Sequence, residues 1–395
     1  MRRGEDRAAL TGANVHIVVA LLAVLGIVTV LWDAFESVIL PRRVTRPYRL
    51  ARFYFRTVWR TTAPIARSIR SVKLREAYLA YFGPLSLLLL FVFWAVVLVF
   101  MFALLHWSAG SVRMASGQIA TFRTDLYLSG STFFTLGMGD VTPGTTLGRV
   151  LSVAEAGLGF GFLAIIISYL PTLYGAFSQR EVNISLLDSR AGSPPTAAEL
   201  LRRHGRERST HGLAPYLREW ETWSAQLMES HLTYPVLCYF RSQHDNQSWL
   251  SAFTAILDVS ALLIAYGDGE TKWQAQLTFA ISRHAVADLS QVLGQKPAPF
   301  AVDRLPAADL PKIRGLLLDS AGRQDAEACA WKLRELRRMY EPYVNTLSRF
   351  LLMPIPTWGT EPGAGTPPGS VWARITADSA GASCTVSAEI ESGHL

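Results

Sequence analysis

Along the chain, apolar positions come first in long unbroken runs and later in short periodic ones. The clearest run lies between Glu76 and His106, where no charged residue occurs and "PLSLLLLFVFWAVVLVFMFALL" fills the centre. A bilayer core of ~30 Å needs about 20 apolar residues, so this run predicts a transmembrane helix. A second runs from about Asn14 to Leu31 and continues past Asp33 and Glu36 to Leu40. A third, about Val150 to Phe177, carries one charge, Glu155. A fourth apolar stretch lies between Asp245 and Asp268, with Asp258 at its centre. A central Asp costs ~2.5–3.5 kcal/mol on insertion scales. That favours a buried helix of a soluble bundle, with a fourth span as the alternative for 247–267. From about Glu181 the pattern has helical period: Leu217, Trp220, Leu227 and Met228 share one face, and Trp331, Leu336, Tyr340, Tyr343 and Leu347 another. Alternating strand patterns are absent there, as is a Gly-x-Gly-x-x-Gly after a strand, which argues against a dinucleotide-binding regulatory domain.

Charge changes this picture in one place. The net charge is +7, yet residues 41–79 alone hold eleven Arg and Lys against one acid, Glu76. The basic block sits between two spans, so it argues for a membrane surface and not for nucleic acid. The basic side of a span stays in the cytoplasm. Three basic residues precede the first span and eleven follow it, which predicts an outer N-terminus and an inner 42–79 linker. The second span then runs outward and the third returns, leaving everything after about 180 in the cytoplasm. A basic start before an apolar run also fits a signal sequence, but no small-residue cleavage site follows; the chain goes on into "LWDAFESVILPRR". On a helical wheel Arg46, Arg49, Arg52, Arg56 and Arg60 group together, while Leu50, Tyr54, Phe55 and Val58 face away. That is an interfacial helix for anionic lipid over 42–60. The three-residue spacing of Arg43, Arg46, Arg49 and Arg52 also resembles a voltage sensor, but Pro47 interrupts it and no four-helix sensor is present. Asp33 and Glu36 are candidate partners for these arginines.

The topology makes 108–148 the outer connection between spans two and three. Within it "RTDLYLSGSTFF" (123–134) predicts a helix of about twelve residues starting at Thr124 or Asp125, too short to span. Such a helix can dip in and return where its backbone is buried in protein or lines water. "TLGMGD" follows: Thr135, Leu136, Gly137, Met138, Gly139 and Asp140. Two glycines alternating with side-chain residues let successive carbonyls point to one side, and several copies around an axis would form oxygen rings that replace an ion's water shell. The helix presents its partly negative C-terminal end to the same axis, which favours a cation.

Outer span, short helix, Thr-x-Gly-x-Gly-Asp and glycine-bearing inner span together resemble the pore module of potassium channels, especially bacterial ones with one pore loop per subunit. The resemblance covers about 80–178. It implies a selectivity filter in which carbonyls of Thr135, Leu136, Gly137 and Met138, with the Thr135 hydroxyl, hold K⁺, and in which Asp140 stands at the outer mouth. It also implies an inner-helix hinge at Gly159 or its neighbours Gly157 and Gly161, and a homotetramer, since one chain holds one loop. Leu136 replaces the family's usual Val or Ile. Met138 replaces its Tyr or Phe, which braces the filter; Met is flexible and offers no hydroxyl, so a weakly selective cation channel is one alternative. Another is a non-conducting membrane receptor or scaffold with a pore-like fold.

Glu155 either braces the filter through Ser129, Ser131 or Thr132, or reaches the outer interface. Pro171 bends the inner helix as a gate or marks its exit from the bilayer. His231, Cys238 and His244 match no ligand spacing, and the three cysteines (Cys238, Cys329, Cys384) no disulfide or metal pattern. Arg241, His244, Asp245, Asn246 and Gln247 read as a helix-capping turn before the apolar helix at 249, or as a ligand cluster. No nucleophile–base set or carboxylate pair supports an enzyme, and no cofactor is called for beyond K⁺ as the permeant ion. The expected organisation is an all-α membrane protein. It has an N-terminal span (1–41), a basic interfacial linker (42–79), the pore module (80–178), a helical cytoplasmic domain (179–355) and a disordered tail (356–395). The expected place is a bacterial inner membrane.

Overall fold

The computed structural model describes residues 2–40, 50–114, 120–205, 212–244, 246–298, 303–317 and 325–359. Arg42, Arg43, Arg46, Arg49, Asp245, Cys384 and the tail from 360 lie outside them. The described chain is helical apart from one two-stranded pair and forms two units. One comprises Met1–Ser178 with Ser230–Arg241, the other Gln179–Glu229 with the described residues from Ser242 on.

The first unit is built from α1 (Arg2–Ala34), a π turn at Phe35–Ile39, α2 (Leu50–Ser68), α3 (Val72–Ala109), β1 (Val112–Met114), α4 (Phe122–Phe133), β2 (Val141–Pro143) and the first part of α5 (Thr146–Ala191). α1, α3 and α5 are long and apolar enough to cross a membrane. They carry exposed apolar side chains, among them Leu21, Leu25, Val92, Val96, Val153, Phe160 and Ile167. Exposed apolar surface on this scale belongs against lipid or another protein. The helices outrun the hydropathy boundaries. α3 begins at Val72, where the Ser71 hydroxyl accepts the Leu74 N–H. α5 passes through Pro171 and continues to Ala191, so this proline does not end the helix.

Asp33, inside the apolar run of α1, is buried because it serves two donors. Its Oδ2 accepts from the Trp94 indole of α3 at 3.1 Å and from the Ala51 N–H at 3.0 Å. Ala51 is the second residue of α2, where backbone N–H groups lack helical partners. The carboxylate therefore fastens α2 to α1 and α3. α2 buries Ala51, Trp59, Ala63 and Ala66 and exposes Arg56 and Arg60.

Residues 234–241 return to this unit as an aromatic wedge around a tight 3₁₀ turn, Pro235–Tyr239. Tyr239 packs on Trp59 and Phe82, each at 5.1 Å between ring centroids. Tyr234 meets Tyr169 of α5 edge-on at 5.4 Å, and Phe240 lies against Phe177 at 5.6 Å. Gly83 makes room for the Phe240 ring, which a Cβ there would meet at 2.5 Å. Arg241 reaches Glu76 at 3.4 Å. The turn thus joins α2, α3 and α5, and Arg241 belongs to that junction and not to a helix cap. His231 and Cys238 are buried, and among the described residues no three His, Cys, Asp or Glu gather as metal ligands.

The second unit holds the end of α5, α6 (Ala197–Gly205), α7 (Leu213–Thr233) as far as Glu229, α8 (Trp249–Tyr266), α9 (Gly269–Val292), α10 (Leu310–Arg314) and α11 (Ala326–Leu351). α8 starts at a Ser248 cap whose hydroxyl accepts from Ser251 N–H at 3.0 Å. All its residues are buried, which leaves no face for lipid although its length and composition would let it span. Asp258 is held inside by Arg304 and by the Tyr340 hydroxyl. Arg304 also pairs with Glu341 at 3.2 Å, and Arg337 pairs with the same carboxylate at 3.0 Å. α11 buries Cys329, Leu333, Leu336, Tyr340, Val344, Leu347 and Leu351. Trp331, assigned by periodicity to this face, is 57% exposed; two residues from Cys329 and from Leu333, it falls on the opposite side of the helix. Replacing Asp258 by Ala leaves buried Arg304 with Glu341 as its one carboxylate and takes the acceptor from the Tyr340 hydroxyl, and is expected to destabilise the protein by roughly 3–5 kcal/mol. Denaturant unfolding followed by tryptophan fluorescence measures it.

Candidate functional site

The site begins with how α4 starts and stops. Thr121 precedes the helix, and its N–H donates to the Thr124 hydroxyl at 3.2 Å. Thr124 and Asp125 therefore lie within the first turn, and the start falls ahead of both. The end is a Schellman motif: Thr135 N–H donates to Thr132 O at 3.0 Å and Leu136 N–H to Ser131 O at 2.7 Å. That closure requires a left-handed residue, and Thr135 takes the place with φ 58°. Glycine usually fills such a position; a β-branched residue there costs roughly 1–2 kcal/mol.

The left-handed backbone then recurs at alternate residues, with φ 55° at Gly137 and 84° at Gly139, while Leu136 and Met138 stay negative. Alternating hand gathers peptide N–H groups on one side and leaves carbonyls on the other. A Cβ at Gly137 or Gly139 would meet nothing within 4 Å, so these glycines are required by conformation and not by crowding. Phe134, Leu136 and Met138 project from the single chain, each more than half exposed. Asp140 accepts from the Tyr127 hydroxyl of α4 at 3.3 Å, tying the end of the segment back to the helix before it.

Three contacts fix this loop in place. β1 pairs antiparallel with β2, Arg113 opposite Thr142, which binds the chain after the loop to the chain after α3. Gly144 N–H adds a bond to Ser111 O at 2.7 Å. Ser129 of α4 donates to the Val99 carbonyl of α3 at 2.7 Å and also meets Glu155 of α5. Glu155 is fully buried, so it points inward to the short helix and not to the outer interface. Its second oxygen lies 3.6 Å from Nε2 of His106, also fully buried.

The three inner-helix glycines differ. A Cβ on Gly159 would collide with the Phe133 carbonyl, so the end of α4 rests directly on α5 there. Gly157 and Gly161 face open space in the single chain. α5 is unbroken from Thr146 to Ala191, through all three and through Pro171. Sequence reasoning missed His106, Ser111 and the β pair. The signal for His106 was present: an ionisable residue at the end of an uncharged span is a functional candidate by default. Three-residue strands give no usable alternation.

Residues 87–174 match a protein family described as "Ion channel". Over 259 residues, 65% of this chain and 75% of its relative, the chain is 22% identical to the uncharacterized membrane protein YdjJ of Bacillus subtilis (strain 168). No solved structure matches. Residues 87–174 are thus an ion-channel domain of the potassium-channel type, and the protein is a membrane protein.

Gly159→Ala drives a methyl group into the Phe133 carbonyl and is expected to cost about 1–3 kcal/mol, as overpacking does. Gly157→Ala is expected to stay within about 0.5 kcal/mol. Thermal unfolding of the two purified variants in detergent gives the comparison.

Proposed function

We propose that the protein is a homotetrameric cation channel of a bacterial inner membrane that conducts K⁺ through Thr135–Asp140. The observation that carries this reading is the left-handed backbone at every second residue, 135, 137 and 139, directly after the C-terminus of α4. With that geometry the carbonyls of Thr135, Leu136, Gly137 and Met138 can stand in for water around a dehydrated cation. The Thr135 hydroxyl adds an oxygen at the inner end, and Asp140 supplies negative charge at the mouth. A single chain contributes one wall, and its exposed Phe134, Leu136 and Met138 support covering by further copies. Glu155 supports the filter from behind, Gly159 seats the short helix, and Gly157, Gly161 and Pro171 are where the inner helix bends as the pore opens. The N-terminus lies outside and the second unit in the cytoplasm. Arg52, Arg56 and Arg60, with the basic residues before them, rest α2 on anionic lipid. The domain limits follow the same reading with two changes: an added span over 1–41, the interfacial linker 42–79, the pore module 80–178 joined by 230–241, and a cytoplasmic domain that runs from 179 to 359, since Trp358 is buried and its carbonyl accepts from Ala198 N–H. An ion-channel domain points away from catalysis.

A weakly selective channel is the second reading, favoured by Met138. Its side chain is 71% exposed in the chain, and it lacks the aromatic hydroxyl that could fix it.

The test is a planar-bilayer recording of the purified protein with K⁺ on one side and Na⁺ on the other. A reversal potential near the K⁺ equilibrium value is expected. A value near zero with clear current supports the second reading. Gly137→Ala, which forces a side chain into the left-handed region at a cost of roughly 1–2 kcal/mol, is expected to reduce the current about tenfold or more. A protein that works as a receptor or scaffold would show no current and no effect of this substitution.

A further inference from the structure

Behind the short helix lies a buried set of hydrogen-bonding groups whose protons can be counted. Ser111 Oγ donates to the His106 carbonyl at 3.3 Å, so its oxygen accepts from His106 Nδ1 at 2.8 Å. This assigns a proton to Nδ1 from the hydrogen-bond pattern. Nε2 then lies 3.6 Å from Glu155 Oε2, too far for a hydrogen bond, and neither atom has a hydrogen-bond partner among the described residues. On the far side of the carboxyl group, Ser129 Oγ meets both Glu155 Oε1 and the Val99 carbonyl. Ser129 has one hydrogen, and a carbonyl can only accept. If that hydrogen goes to Val99, the contact between Ser129 and Glu155 needs a proton from Glu155.

Both Ser129 contacts are satisfied together in one arrangement. Protonated Glu155 donates through Oε1 to Ser129, Ser129 donates to Val99, and His106 Nε2 stands 3.6 Å from Oε2. Asp125, buried one turn before Ser129 on α4, lies within the electrostatic reach of His106. The groups around the pair are Ser111 beyond α3, Asp125 and Ser129 on α4, and Glu155 on α5; His16 of α1 stacks on Trp107 instead, at 4.6 Å. Removing a proton sets two acceptors face to face at one of the contacts. The resulting repulsion acts on Ser129, six residues before Thr135.

We propose that His106 is a positioning residue for the filter: with Glu155 it forms a proton-loaded brace that fastens α4 through Ser129, so that conduction depends on its proton occupancy. The proposal rests on the channel reading above and adds the residue and the signal that act on it. Protons enter from solution and return to it, and no other reactant is involved.

The experiment records current and reversal potential of the reconstituted full chain from about pH 4 to pH 9, spanning the range of free carboxyl and imidazole groups. Wild type is expected to lose current as pH rises through an inflection, by about fivefold or more, the weight of one hydrogen bond. Glu155→Gln keeps a donor for Ser129 at every pH and is expected to give a flat profile. His106→Gln changes the group that faces Glu155 Oε2 and is expected to move the inflection. A flat wild-type profile, or an inflection unchanged in both variants, overturns the proposal and assigns any titration to Asp125 or Asp140. Infrared spectra of the same proteins give a readout that needs no current: a protonated-carboxyl band in wild type that is lost in Glu155→Gln. Absence of that band at low pH also overturns the brace. Absence of current with the band present counts against the channel reading and leaves the shared-proton pair standing.

Discussion

Backbone groups without partners cannot face hydrocarbon, because each unpaired N–H or C=O there costs several kcal/mol. On the proposed reading, a segment whose carbonyls serve an ion must therefore be enclosed by protein on every side that would otherwise meet lipid. The first unit is arranged around this demand. α3 and α5 flank the short helix, the β pair closes the outer end of the loop, and the Schellman motif satisfies the last carbonyls of α4 with the first N–H groups of the loop. What stays open is the face of Phe134, Leu136 and Met138, and copies of the chain can cover it.

Three long apolar helices, α1, α5 and α8, carry an acid that hydropathy alone counts as a defect, and each acid has its own structural reason. Asp33 closes the N-terminus of α2 and holds the Trp94 indole. Asp258 anchors two arginine-bearing segments and a tyrosine in the second unit. Glu155 differs because its partners are a serine and a histidine. Buried charges persist where they are paired and hydrogen-bonded. Asp258 meets that condition with arginines, whereas the groups beside Glu155 are a neutral hydroxyl and an imidazole.

The wedge at 234–241 is the place where chain from beyond the spans becomes part of the membrane unit. Its rings contact the interfacial helix, the outer helix at Phe82 and Gly83, and the inner helix at Tyr169 and Phe177. Aromatic packing of this kind is stiff, since buried rings leave little free volume. A displacement of the turn would therefore be felt at α5 and at α2. Asp33 carries the same coupling from the other end of α2.

The sequence by itself determined the spans, the short helix and the glycine spacing of the loop. These follow from local rules: an uncharged run of sufficient length, a helical stretch too short to cross, and residues that tolerate positive φ. It left two possibilities each for Glu155, Pro171 and the apolar stretch around Asp258, because one sequence position cannot say what stands opposite it. Tertiary structure decided the first and the last: Glu155 turned inward to Ser129 and α8 was enclosed on all sides, while α5 runs on through Pro171, which is compatible with both of its readings. It also brought in partners that no spacing announces, since His106 and Glu155 are 49 residues apart and meet only because α3 and α5 enclose α4. Periodicity misplaced Trp331 because helical spacing identifies a face without fixing its centre. Local propensity is written in neighbouring residues, whereas burial and proton sharing depend on groups that only folding brings within a few ångströms.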